Sequence, residues 1–196
     1  MNDWNEGYFT SSTYTYGYYR ELSPTFQKFC LLMRGFDSPP FDQNSRHCEL
    51  GYGQGVSVNI HAASTPGHYV GTDFNPAHAA HANELNRASG SGAELFEDSF
   101  EQLLTRFNEY DHRGEKYSSI GLHGIWSWIS NENRKYIVEI IRRHLKSGGV
   151  VYNSYNCLPG HAPDAPLREL LELYDKFVGG NEGNTFKRVD SAIKFA

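Results

Sequence analysis

A chain of 196 residues is long enough for one sizeable domain around a continuous core and too short for two comfortable ones. Its formal charge of -5 gives no general pull toward nucleic acid or anionic membrane, and no apolar run approaches the roughly 18 residues of a membrane span. Cys30, Cys48 and Cys157 are odd in number, widely spaced and without a Cys-x-x-Cys pair, so they read as buried free thiols; with no basic-then-apolar leader, the expectation is a soluble cytoplasmic protein.

The opening stretch is set apart by Tyr8, Tyr14, Tyr16, Tyr18 and Tyr19, crowded ahead of Arg20. A tyrosine ring buries much apolar area while its hydroxyl still seeks a partner, so the cluster is expected to pack over a domain face or line a ligand mouth. After Ser23-Pro24, residues Phe26, Phe29, Cys30 and Met33 recur at three- and four-residue steps, the stripe of an amphipathic helix that Gly35 and Pro39-Pro40 end. Residues 1–45 are read as an N-terminal extension covering the domain that follows.

From residue 46 strands and helices alternate, the pattern of an α/β sheet of parallel strands. A first strand, residues 48–50, runs into a glycine-rich turn, and Val56, Ile60 and Ala63 mark one face of the next helix. A second strand over 69–72 ends at Asp73. Asn75 caps a helix opened by Pro76, with Ala79, Ala80, Ala82 and Leu85 as a small-residue packing surface. Leu95 and Phe96 make a third strand that stops at Asp98, Ile120 and Leu122 belong to a fourth, and residues 150–155 form a fifth. Ser130 caps the helix before that fifth strand, and Ile137, Ile140, Ile141 and Leu145 form its buried stripe.

The chemistry gathers at Glu49-Leu50-Gly51-Tyr52-Gly53-Gln54-Gly55, where a strand hands over to a helix. Glycines there let the backbone turn sharply and approach a ligand, with N–H groups of the helix start facing it. Asp73, about twenty residues on, stands where a carboxylate accepts hydrogen bonds from both ribose hydroxyls, and Asp98 ends the next strand. In a doubly wound sheet such strand ends open into one crevice. Two nucleoside ligand classes fit it. A dinucleotide fingerprint is Gly-x-Gly-x-x-Gly, whereas this turn reads Gly-x-Gly-x-Gly behind an acid, which favours a sulfonium ligand carrying a methionine ammonium and carboxylate over a pyrophosphate.

At these residues the chain resembles class I S-adenosylmethionine-dependent methyltransferases. The segments Tyr16-Gly17-Tyr18-Tyr19-Arg20-Glu21-Leu22-Ser23-Pro24, Gly71-Thr72-Asp73-Phe74-Asn75-Pro76, Leu122-His123-Gly124-Ile125-Trp126-Ser127-Trp128 and Ser154-Tyr155-Asn156-Cys157-Leu158-Pro159-Gly160 are similar to a bacterial branch with a downstream methyltransferase regulatory domain. The likeness covers about residues 14–178. It implies a Rossmann-like, doubly wound, mostly parallel sheet over 46–178 and S-adenosylmethionine as cofactor, with S-adenosylhomocysteine as product. Gly51, Gly53 and Gly55 would cradle the methionine part, Asp73 would bind the ribose, Asp98 would face the adenine amino group and Phe74 would flank the ring, with Glu49, Ser99 and Leu122 as further cofactor-binding residues. The expected final hairpin of the sheet has no counterpart after Tyr155, where Leu167, Leu170, Leu171, Leu173 and Tyr174 read as a helix and 179–196 as a polar tail. A truncated methyltransferase is the resulting expectation, with dimerisation through the uncovered sheet edge a further one. His161 departs from the tryptophan expected in that branch.

Methyl transfer from a sulfonium is an in-line displacement, so the protein positions nucleophile and methyl and excludes water. Candidate catalytic residues are His123, Tyr155 and Asn156, and candidate substrate-side residues are Tyr16, Tyr19 and Trp126, with Trp126 and Trp128 open to a packing role. His123 reads either as a loop histidine bonded to a carbonyl or as a general base. No Asp/Asn-Pro-Pro-Tyr motif follows the fourth strand, which leaves a protein side chain or small molecule as acceptor. His78 and His81 read as a surface pair, so no metal site is expected. Two other classes stay open, a non-catalytic S-adenosylmethionine sensor and a nicotinamide-dependent oxidoreductase.

Overall fold

The computed structural model describes residues 14–109, 114, 116–179 and 185–196; Tyr8 and part of the expected polar tail lie outside them. The chain divides into two compact units, Met1–Tyr155 and Asn156–Ala196. This boundary falls well ahead of the one expected at residue 178.

In the first unit a 3-10 turn (Arg20–Leu22) and helix α1 (Pro24–Met33) precede a regular alternation: β1 (Arg46–Leu50), α2 (Val56–Ser64), β2 (His68–Thr72), α3 (Pro76–Ser89), β3 (Glu94–Phe96), α4 (Phe100–Glu109), β4 (Tyr117–Leu122), α5 (Asn131–His144) and β5 (Leu145–Asn153). The strands form one sheet in the order β3-β2-β1-β4-β5, every pair parallel. The chain starts in the middle, winds outward to β3, returns beside β1 as β4 and winds out the other way. The switch point therefore lies between β1 and β4, where a parallel sheet opens its ligand crevice. β5 starts five residues before the expected fifth strand because Leu145, expected to close the stripe of α5, already pairs with Tyr117.

One side of the sheet is apolar. Cys48, Leu50, Val70, Ile120 and Leu122 meet Phe100, Leu103 and Phe107 of α4 and Ile137 and Ile140 of α5 in one buried cluster. Each such side chain contributes roughly 1.5–3 kcal/mol on burial. Both helices are capped as their sequences dictate. Ser130 accepts from Asn133 N–H at 3.2 Å. Ser99 accepts from Gln102 N–H at 3.2 Å while Gln102 Oε1 takes Ser99 N–H at 2.8 Å, a reciprocal capping box.

The side carrying α2 and α3 is different. Tyr52, Val58, Tyr69, Ala79, Ala82, Ala93 and Leu95 form a smaller apolar cluster, and polar residues are buried beside it. Helix α2 turns Ser57, Val58, Asn59 and His61 inward and leaves Ile60 44% exposed, so the expected face of Val56, Ile60 and Ala63 is not the buried one. The inversion has a hydrogen-bond cause: Asn59 Nδ2 donates to the carbonyls of Gly55 (2.9 Å) and Ala82 (3.0 Å), and Ser91 Oγ donates to Asn59 Oδ1 (2.7 Å), tying α2 to α3 with a satisfied buried amide. On α3, Ala79 and Ala82 are buried as expected, Ala80 is exposed, and Asn75 caps the helix through Ala77 N–H at 2.9 Å. The stripe expected on α1 is also corrected, since Phe29 and Met33 are 57% and 68% exposed and the helix buries Pro24 and Gln27 instead. All three cysteines are free, but Cys48 alone is buried.

The second unit pairs α6 (Ala165–Phe177) with α7 (Thr185–Phe195) through a Tyr174–Phe195 ring contact at 4.8 Å and a forked Arg188–Asp175 ion pair. No strand follows β5 among the described residues.

Candidate ligand crevice at the switch point

The turn after β1 holds Gly51, Gly53 and Gly55 at φ of +72°, +57° and +75°, a conformation side chains rarely adopt. A side chain at Gly55 would run into Ala82 of α3, and one at Gly51 into Ile125 of the loop after β4. The turn is thus pressed between α3 and the neighbouring strand tip.

Asp73 stands at the tip of β2 and is tied to this turn. Its Oδ2 accepts Gly53 N–H at 2.8 Å, and its Oδ1 accepts Asn75 N–H at 3.0 Å and lies 3.1 Å from His78 Nδ1. His78 Nε2 accepts Tyr14 N–H at 3.2 Å, so Nδ1 carries the ring proton and donates to Asp73. With three of about four acceptor positions used, the carboxylate has room for one more donor. The expected surface pair of histidines is corrected here. His78 is 7% exposed and belongs to this relay, and His81 Nδ1 lies 2.8 Å from Gln54 O in the turn. The missed signal was Asp73, a capping Asn75 and His78 in the first turn of α3, a spacing that folds the imidazole back onto the strand tip.

Residues 14–19 lie across this region as a strap. Gln54 Nε2 donates to Tyr14 O (3.2 Å), Tyr19 N–H donates to Ser57 Oγ (2.8 Å), and Ser57 Oγ donates to Gly17 O (3.3 Å). Tyr16 sets an edge on His81 and Tyr18 on His61, while Tyr19 stacks on His123 with centroids 4.0 Å apart. A side chain at Gly53 would meet the Tyr14 ring at 3.0 Å, and one at Gly124 its hydroxyl at 3.4 Å. The Tyr14 ring therefore bridges the two loops that flank the switch point, beside the glycine turn where a ligand is expected. Burial, then the Tyr19 hydroxyl, then the Asp73 charge push its pKa up to about 12.

The expected adenine-side residues are arranged differently. Asp98 is forked by Arg106 of α4, Nε to Oδ2 at 2.6 Å and Nη2 to Oδ1 at 3.1 Å, and that guanidinium lies 4.1 Å from the Phe96 ring centroid. A residue eight positions on, two turns along α4, thus takes up a carboxylate expected to face adenine. Asp98 remains beside the β2 tip through its backbone, its N–H donating to Thr72 Oγ1 at 3.2 Å. Ser99 is committed to the cap of α4, Leu122 is buried in the apolar cluster, and Phe74 is half-buried in the loop after β2. Trp126 packs against that same cluster and its carbonyl accepts from Arg134 Nε at 3.0 Å, whereas Trp128 is exposed.

Past β4, His123 Nδ1 lies 3.1 Å from Tyr152 Oη and 3.3 Å from Ser154 Oγ, and Ser154 Oγ accepts Gly124 N–H at 2.8 Å. Burial holds the His123 pKa down, with partial offset from Glu21. No local sequence pattern ties Tyr152 or Ser154 to residue 123, because the pairing of β4 with β5 is what brings them together. Tyr155 is exposed, and Asn156 begins the second unit. Glu49 is buried, and desolvation first, then the Asp73 charge, raise its pKa to about 8. Among the described residues no group of His, Cys, Asp or Glu side chains is arranged to hold a metal ion, and no helix is long and apolar enough to cross a membrane.

No protein-family model matches the chain. It is 37% identical over 195 residues to the uncharacterized protein sll1526 of Synechocystis sp., covering 98% of this chain and 37% of that one. It is 30% identical over 139 residues to the uncharacterized protein RP789 of Rickettsia prowazekii, covering 70% and 24%. The chain thus spans well under half the length of these curated relatives. Among solved structures, PKMT2 from Rickettsia typhi superimposes with a TM-score of 0.72 at 21% identity, over 93% of this chain and 33% of that one; its complex with AdoHcy gives 0.71 at 20%. The fold is the Rossmann-like methyltransferase fold.

Proposed function

We propose that the first unit is the S-adenosylmethionine-binding portion of a longer methyltransferase of the branch with a downstream regulatory domain, acting in the cytoplasm on a protein side chain or small molecule. The observation that carries this reading is the join between Asp73 and the glycine turn at the carboxyl ends of the central parallel strands, with an acid at the ribose position. The likeness to a protein solved with AdoHcy supports it. The Gly-x-Gly-x-Gly spacing supports a sulfonium nucleoside over a dinucleotide.

Gly51, Gly53 and Gly55 hold the methionine part, Asp73 the ribose, and Phe74 and Asp98 border the adenine, Asp98 through the acceptor positions Arg106 leaves open. When bound, the cofactor supplies a methyl group on a sulfonium to an acceptor nucleophile. His123 takes the acceptor's proton, its ring oriented by Tyr152 and Ser154 and its face covered by Tyr19. Residues 14–19 are the cover of the crevice. A ribose diol needs two acceptor positions and Asp73 has one to spare, so ligand entry releases one of its present donors and moves the Tyr14 ring off the turn. The edge of β5 away from β4, which pairs with no other strand among the described residues, is the place for a second sheet element or a second copy.

Calorimetry with S-adenosylmethionine, S-adenosylhomocysteine and NAD tests the reading. The first two are expected to bind and NAD to be rejected; a preference for NAD, or no binding of either sulfur nucleoside, overturns it. Methyl-label transfer by the full-length parent to a lysate then separates an enzyme from a sensor.

A further inference from the structure

Behind the glycine turn, on the α2 side of the sheet, lies a cavity of about 10 Å³ lined by Leu22, His47, Glu49, His61, Tyr69 and Ser119, among others. That is about the size of one water molecule. His47 Nε2 and His61 Nε2 are buried without a hydrogen-bond partner, and both residues line this space. The Tyr69 hydroxyl, also buried, has Thr65 nearby but no hydrogen bond of ordinary geometry. His47 is otherwise fixed: Nδ1 lies 2.7 Å from Ser119 Oγ, and its ring sits between Phe41 and Tyr69 at 5.3 and 4.8 Å. Two unpartnered ring nitrogens on residues that line one water-sized hollow, beside a buried carboxyl, are a reason to expect an occupant, because a buried polar atom left unpaired costs about 1–3 kcal/mol.

We propose that this cavity is a built site for one internal water molecule, held by Nε2 of His47, Nε2 of His61 and the carboxyl of Glu49. Burial favours the neutral forms of the groups that line it. Burial takes His47 and His61 down to about 4, with Lys146 and His61 adding to the effect at His47, so both rings are neutral at pH 7. Glu49, at about 8, is then a carboxylic acid. The charged and titratable groups around Glu49 are Asp73, which raises it further, with Arg46 and Cys48 beside it on β1, His61 on α2, Tyr69 on β2 and His47 along the strand. A protonated Glu49 donates one hydrogen bond and accepts another, and the water supplies what the rings lack. Glu49 becomes a positioning residue behind the turn, with burial and the Asp73 charge favouring its protonated form. This is independent of which nucleoside the crevice takes.

A crystal structure of this chain at a resolution that shows ordered solvent is expected to place one water within hydrogen-bond distance of both Nε2 atoms; an empty cavity overturns the proposal. Carbon-13 titration of the glutamate carboxyls gives a second readout without mutation. Glu49 is expected to titrate near pH 8, and a midpoint in the ordinary carboxylate range overturns the neutral site. Glu49→Gln, which keeps shape and neutrality, adds a third. Folded Glu49 holds its proton above the unfolded value, so its stabilising contribution is full at low pH and is lost as pH rises to about 8. Between pH 6.5 and 8, where the two histidines have no further effect, the wild-type melting temperature is expected to fall more than that of Glu49→Gln. Equal slopes overturn the assignment.

Discussion

The two faces of the sheet are built on opposite terms. Beneath α4 and α5 the contacts are apolar and interchangeable in kind, a cluster of Leu, Ile and Phe that gains its stability from area removed from water. Beneath α2 and the N-terminal strap, His47, Glu49, Ser57, Asn59, His61 and Ser119 are buried, and Ser57, Asn59 and the His47–Ser119 pair are held by specific hydrogen bonds. The first face can be altered by degrees. On the second, burial is tied to hydrogen-bond geometry and protonation, and it is this face that carries the turn and its relay.

The largest effect is expected on the apolar face. Phe107→Ala should lower the unfolding free energy by about 3–5 kcal/mol in urea denaturation, since Phe107 of α4 is fully buried against Tyr117 and His144; a loss below about 1 kcal/mol would place the main source of stability elsewhere. Acid should strike the other face. Folded His47 and His61 titrate well below a free histidine, so the stability they contribute is full above about pH 6.5 and is lost as pH falls toward 4. Up to about 3 kcal/mol each is at stake, and amide exchange in α2 should rise before that in α5 as pH is lowered. Simultaneous loss in both helices would dissolve the contrast. Gly55→Ala should destabilise by about 1–3 kcal/mol, from a left-handed φ and a collision with Ala82. Asp73→Ala should weaken nucleoside binding by about 1–3 kcal/mol, and an unchanged dissociation constant would remove Asp73 from the site. The smallest effect is expected at exposed Trp128, where Trp128→Ser should shift stability by no more than about 0.5 kcal/mol.

The same contrast decides what could be read in the sequence. Ile137 and Ile140 of α5 announce themselves by period, and Ser130 by its place before the run, because apolar burial leaves a repeating mark. The strand tips at Gly51 and Asp73 were legible from residue type and spacing. Hydrophobic period points to the wrong face of helix α2 because its inward side carries Ser57 and Asn59, which bury through hydrogen bonds that period cannot signal, and His61, which buries against the Tyr18 ring. Asp98 was legible as a strand-end acid, but not its capture by Arg106, since partner choice depends on where α4 leaves the strand. Tyr152 and Ser154 reach His123 only through pairing of β4 with β5, a long-range register that no local pattern encodes.

The account rests on the glycine turn and Asp73 forming a nucleoside site once the strap of residues 14–19 moves aside. A structure of the chain soaked or co-crystallised with S-adenosylhomocysteine tests this most directly. The ribose hydroxyls are expected on Asp73, with the Tyr14 ring displaced from Gly53. Ligand bound elsewhere, with the Tyr14–His78–Asp73 relay undisturbed, would contradict it.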